Sequence, residues 1–286
     1  MLDPDWVFTR PILWVALFAL VGLLVLRTIR RDRREYQRFK RYRTTARRQK
    51  MLRRWLLDSF LMFGGASVVL LLLAGAFVMP LLETVQQWPV VRDIRGWFDA
   101  APVLAWGIVI GLALAVVIAT LIGLRAARSE ESVPSIGDIS AMLPRNRQEL
   151  VIGGLLSVNA GVVEELMFRL ALPALIFGAS GSAVVAVFGS ILIFGVLHLY
   201  QGVVGVVGTG IVGAIFMLLY LVSGSIFVPI VLHALFDLRS LVLIPIGVYE
   251  VHKVDGRVTR IISPLKTADA TSPASAPGSS PPQHAA

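Results

Sequence analysis

Apolar residues in this chain come in long unbroken runs rather than in alternation. They occupy Pro11–Leu26, Leu56–Leu82 and Pro102–Leu124, and then four closely spaced runs at Leu150–Phe177, Ser182–Tyr200, Val203–Val222 and Ser225–Gly247. Such runs are too long for strands, and a hydrocarbon layer about 30 Å thick is crossed by about 20 apolar helical residues. Lipid offers no partners for backbone polar groups, so helices are the elements these runs predict. The expectation is an all-α polytopic membrane protein of about seven transmembrane helices. The first run is short for a span, and Trp6–Phe8 extends it.

The polar intervals divide the chain. Residues 1–142 are expected to form an N-terminal transmembrane module with a basic cytoplasmic loop, and 143–248 a four-helix catalytic core with short connections. Residues 249–286 read as a cytoplasmic tail, largely disordered where 271–282 consist only of Thr, Ser, Pro, Ala and Gly. Glu83–Ala101 reads as a short external loop and Arg125–Glu149 as a cytoplasmic connection. Within the sixth run, Gly202, Gly205, Gly208, Gly210 and Gly213 are assigned to close helix packing rather than chemistry.

Composition sharpens this picture. Of 286 residues 56% are hydrophobic, and none is cysteine, which excludes disulfides and thiolate catalysis. The net charge of +9 is unevenly spread: Arg27–Arg54 holds 14 of the 27 Lys and Arg residues against Asp32 and Glu35 alone, a local +12 that leaves −3 elsewhere. A positive excess confined to one interval between apolar runs is a topogenic signal. It places that interval in the cytoplasm and the N-terminus outside, and it argues against nucleic acid as the partner. Multi-pass insertion in a bacterial cytoplasmic membrane follows. Tyr36, Phe39 and Tyr42 interleave with Arg38, Lys40, Arg41 and Arg43, which suits contact with anionic lipid. Asp58, one helical turn from Arg54, is expected to pair with it.

Three charges interrupt the fourth run at Glu164, Glu165 and Arg169. An ionisable residue at bilayer depth costs several kcal/mol and usually faces a protein interior, where it serves a function. Glu165 and Arg169 are four apart and can neutralise each other, leaving Glu164 about 100° around the helix without a local partner. His198 closes the fifth run, and His233 and Asp237 share one face of the seventh. If the fourth and fifth runs turn about Gly181, Glu164 and His198 lie 17 residues either side of it, hence at one depth. Pro173 and Pro229 are read as sites of lost backbone bonds within the spans. A carboxylate with two imidazoles supplies a base for water and donors for an oxyanion, the requirements of peptide hydrolysis. The same groups also suit a His₂Glu zinc site with water in the fourth position, so that alternative stays open.

The order Glu-Glu-x-x-x-Arg at 164–169, Phe-x-x-x-His at 194–198 and His-x-x-x-Asp at 233–237 resembles the CPBP family, the CAAX proteases and bacteriocin-processing (Abi) enzymes. That family includes the endopeptidases that trim prenylated CAAX proteins. The resemblance covers roughly residues 143–245 and implies an intramembrane endopeptidase acting on a membrane-associated protein or peptide. It implies Glu164 as the base that activates water, with Glu165 and Arg169 in support and His198 assisting. His233 and Asp237 would stabilise the oxyanion, and no metal would be obligatory. The chain departs from the family at Leu170, where Gly is common, and at Asp237, where Asn is commoner; an ionised Asp cannot donate a hydrogen bond. A non-enzymatic membrane interaction or bacteriocin-immunity protein that kept the fold is the alternative.

Overall fold

The computed structural model describes residues 1–104 and 140–257 and, between them, residues 106, 107, 110, 111, 114, 117, 118 and 120. Seven helices are named here: α1 Thr9–Lys40, α2 Thr45–Gln86, α3 Pro89–Ala100, α4 Arg147–Ser180, α5 Ala183–Leu197, α6 Leu199–Ser223 and α7 Phe227–Tyr249. The described residues between 102 and 120 are also helical, and among the described residues there is no strand. The end of the expected third span, the connection 125–139 and the tail from residue 258 lie outside the described residues. Helices α1, α2, α4, α6 and α7 are long and apolar enough to cross a membrane, and α5 is apolar but shorter. The chain is thus an all-helical, multi-pass membrane protein.

Two expected loops are helical instead. The basic interval continues α1 through a π turn at Thr28–Asp32 to Lys40, breaks for four residues, and resumes at Thr45 as the start of α2. Arg and Lys are good helix formers, and the opposing carboxylates sit at helical spacing. Arg31 pairs with Glu35 at 3.0 Å and with Asp58, and Arg54 pairs with Asp58 at 3.6 Å as its spacing predicts. The interval is two-faced: Glu35, Tyr36 and Phe39 are buried while Arg33, Arg34, Arg38 and Arg41 are exposed. Glu83–Ala101 is likewise mostly helix, because α2 runs to Gln86 and Pro89 opens α3 at a first-turn position where its missing N–H costs nothing.

Helix α4 is the centre of the packing. Asn146 caps its start by accepting the Glu149 N–H at 2.9 Å, and Gly181, at φ 72°, ends it in the left-handed conformation that favours glycine. Its second half, Met167 to Ile176, is enclosed by Leu13, Leu17, Leu20 and Leu24 of α1, by Leu70 and Ala74 of α2 and by Ala186, Val187 and Phe194 of α5. Its first half presents Gly153, Ser157 and Gly161 at four-residue intervals to α7. A methyl group added at Gly161 would lie 2.9 Å from Ala234, and one at Gly153 would lie 3.0 Å from the Leu241 carbonyl. Small residues let these two backbones approach, which aims the next residue of that row, Glu165, at α7. In α6 the assignment of glycines to packing holds at Gly210, whose backbone lies 3.4 Å from where a Gly195 side chain would begin, and at Gly213, which accommodates the Phe194 ring.

Candidate active site

The charged motif coincides with a break in helical geometry. α4 is α-helical to Glu165 and then winds as a π turn over Leu166–Ala171, a deviation often found at functional sites. The local sequence explains it. The Leu172 N–H donates back to Met167, and Pro173 has no N–H, so the Phe168 carbonyl has lost its helical donors. Ser190 of α5 replaces them, donating its hydroxyl to that carbonyl at 2.7 Å. Pro173 therefore acts as expected. Pro229 does not: α7 begins at Phe227, which puts Pro229 in the first turn, where no intrahelical bond is lost, and the Ser225 carbonyl accepts from the Ser223 hydroxyl at 3.3 Å.

The hairpin register about Gly181 that pairs Glu164 with His198 also pairs Phe168 with Phe194. Those two rings lie 5.1 Å apart, centroid to centroid. Phe194 is the aromatic floor of the site: the Arg169 guanidinium lies over it at 4.8 Å, His198 lies 4.8 Å away and His233 6.5 Å. Phe216 of α6 covers His233 from another side at 5.4 Å.

On this floor the charges form a chain. Arg169 Nε lies 3.0 Å from Glu165 Oε2, His233 Nδ1–H donates to Glu165 Oε1 at 2.7 Å, and His233 Nε2 faces Asp237 Oδ2 at 3.8 Å. Glu165 is completely buried and Arg169 nearly so. The sequence reading placed Glu165 and Arg169 behind Glu164; in the fold Glu165 joins Arg169 to His233. The contact between Glu165 and Arg169 is ionic without hydrogen-bond alignment, since Glu165 Oε2, Arg169 Nε and Arg169 Nη2 are buried and make no hydrogen bond.

Glu164 and His198 remain uncommitted on their chemical sides. His198 donates Nδ1–H to the Phe194 carbonyl at 2.9 Å, which fixes the ring and leaves Nε2 open. Glu164 is partly exposed and, among the described residues, forms no hydrogen bond; it feels the charges of His233, Asp237, Glu165 and Arg169. Leu170, at the position where Gly is common in the family, packs against the central hydrophobic cluster. Sequence reasoning missed Ser190, Tyr200 and the Gly153–Ser157–Gly161 row, and only the last left a signal, its spacing of small residues.

Among the described residues no group of three or more His, Asp or Glu side chains is disposed to hold a metal ion.

No curated protein and no solved structure matches the chain. Residues 146–239 do match a family model, that of type II CAAX prenyl endopeptidase Rce1-like proteins. The matched stretch starts at the Asn146 cap and ends just beyond Asp237, so it contains every residue of the chain of charges together with Glu164 and His198. Over residues 146–239, about a third of its length, the chain is therefore similar to the type II CAAX prenyl endopeptidases, the Rce1-like intramembrane proteases.

Proposed function

We propose that this protein is an intramembrane endopeptidase that hydrolyses a peptide bond of a membrane-associated, CAAX-type protein or peptide with Glu164-activated water. The observation that carries the reading is the division of labour between adjacent carboxylates: Glu165 is consumed by Arg169 and His233, while Glu164 makes no hydrogen bond or ion pair among the described residues. Glu164 takes a proton from water, and the resulting hydroxide adds to the scissile carbonyl carbon. The oxyanion accepts a hydrogen bond from the Nε2–H of His233, which acts as the imidazolium because its Nδ1–H is already given to Glu165. Glu164 then returns the proton to the leaving amine as the C–N bond breaks. His198 Nε2 assists by accepting a hydrogen bond from the attacking water. The site operates on the side of the basic interval, because Tyr200, beside His198, touches Tyr36 of that interval. In a bacterial inner membrane this is the cytoplasmic side, and exposed Arg33, Arg34, Arg38 and Arg41 rest there on anionic headgroups.

The test is cleavage of a farnesylated peptide ending in a CAAX sequence by the purified protein in mixed micelles. Glu164→Gln is expected to lower kcat by about 10³-fold or more, in the upper range for loss of a general base, and a chelator is expected to leave the parent rate unchanged. A Glu164→Gln protein that cuts at the parent rate overturns the assignment.

A further inference from the structure

The site contains a donor that neither the motifs nor the mechanism above use. After His198 the chain makes one tight 3₁₀ turn, Leu199–Gln201, and Gly202 at φ 81° lets it reverse into the long part of α6. That turn lays Tyr200 beside His198, with ring centroids 5.9 Å apart and planes inclined by 31°. The ring is held from behind by Tyr36 of α1 at 5.5 Å, edge to face. At its tip, the Gln201 side-chain amide donates to the Tyr200 hydroxyl at 2.9 Å. The phenol's acceptor capacity is thereby engaged while its own proton is free to be donated elsewhere. With its ring against His198, Tyr200 borders the space beside His198 where a scissile carbonyl would sit.

In that space position 237 supplies no second donor beside His233. At position 237 the family commonly has Asn, whose amide can donate; the carboxylate of Asp237 cannot when ionised, and it would repel a developing negative charge. We propose that Tyr200 supplies the missing donor, its hydroxyl giving a hydrogen bond to the oxyanion alongside His233, with Gln201 and Tyr36 as the residues that position it. This assignment rests on the endopeptidase reading of the same site.

The experiment measures kcat and KM for the farnesylated CAAX peptide, with thermal unfolding in detergent recorded on each variant. Tyr200→Phe removes only the hydroxyl, keeping the ring stacked between His198 and Tyr36. It is expected to lower kcat by about 10²-fold at nearly unchanged KM and melting temperature, the size of effect found for one lost oxyanion donor. Introducing Asp237→Asn into Tyr200→Phe restores an amide donor and is expected to recover at least tenfold of the loss. Gln201→Leu, which frees the hydroxyl to rotate, is expected to lower kcat by a few-fold. Glu164→Gln run in parallel separates the two failures. If Glu164→Gln is inactive while Tyr200→Phe keeps the parent kcat, the Tyr200 assignment is wrong and the protease reading stands. If Glu164→Gln keeps the parent rate, the protease reading falls and takes this one with it. A Tyr200→Phe loss that Asp237→Asn does not relieve, or that comes with a lowered melting temperature, also overturns the donor role.

Discussion

Two arginines of this protein are buried to nearly the same degree, Arg48 at 1% exposed and Arg169 at 2%, and each is paired with a fully buried glutamate. Each also lies over a phenylalanine, Arg48 at 4.4 Å from the Phe39 ring and Arg169 at 4.8 Å from the Phe194 ring. The difference lies in how their hydrogen-bonding capacity is met. Arg48 reaches Glu149 through Nε and Nη2 at 3.1–3.3 Å, the Ala141 carbonyl at 2.9 Å and the Leu143 carbonyl at 3.1 Å. It joins the foot of α2 to the cap of α4 with every nitrogen engaged. Arg169 balances the charge of Glu165 but leaves Nε and Nη2 without hydrogen bonds, and Glu165 gives its other oxygen to His233. A saturated buried pair fixes structure, whereas one with unmet polar capacity beside a histidine marks the place where a fold has been held for another purpose.

The comparison breaks first at Arg48. Arg48→Ala leaves Glu149 charged and buried with two carbonyls deprived of donors, and it is expected to cost about 3–5 kcal/mol, seen as a collapse in the yield of folded protein. Arg48→Met combined with Glu149→Gln is expected not to recover that yield, because the Ala141 and Leu143 carbonyls stay unmet. A double variant that expresses and melts like the parent would show the knot to be dispensable. At the other pair the outcome differs: Arg169→Ala alone should lower the folded yield by stranding Glu165, and because Arg169 donates to no carbonyl among the described residues, Glu165→Gln with Arg169→Met should recover most of it.

A smaller effect is expected at Arg145, beside the first knot. Burial, reinforced by the nearby charge of Arg48, lowers its guanidinium well below the usual arginine range, to about 10, and its Nε makes no hydrogen bond. A cation whose folded-state pKa lies below its unfolded value destabilises the fold while charged. That penalty is in full force below about pH 10 and fades as pH rises from there towards the ordinary arginine value. Arg145→Met is therefore expected to raise the melting temperature slightly at neutral pH; a drop would mean that the side chain contributes more through contacts than it costs through its charge.

These two knots were unequally legible in the sequence. Glu165 and Arg169 announce themselves because charges are rare inside an apolar run, and the spacing about Gly181 gives the register that brings Phe168 onto Phe194. The bond from His233 to Glu165 was hidden, because it depends on how closely α4 crosses α7 at Gly161, a tertiary fact that spacing within one helix does not contain. Arg48 was invisible for the opposite reason: it is one of 14 basic residues in an interval whose overall charge explains itself, and nothing local separates the buried one from its exposed neighbours. The helicity of that interval was overlooked because polarity was read as loop, although Arg and Lys at i, i+4 from Glu and Asp support a helix.

The account stands most directly on one protein, the Glu165→Gln, Arg169→Met double variant, assayed in a single preparation for thermal unfolding and for cleavage of the farnesylated CAAX peptide. Removing both charges relieves the buried pair and replaces the carboxylate on His233 with a neutral amide, a weaker acceptor that leaves Nδ1 less firmly held. The predicted result is a melting temperature close to that of the parent with kcat lowered by about 10²-fold or more, in keeping with the loss of oriented transition-state donors. A variant that melts like the parent and also cuts at the parent rate would contradict the claim that this pair exists to arm His233.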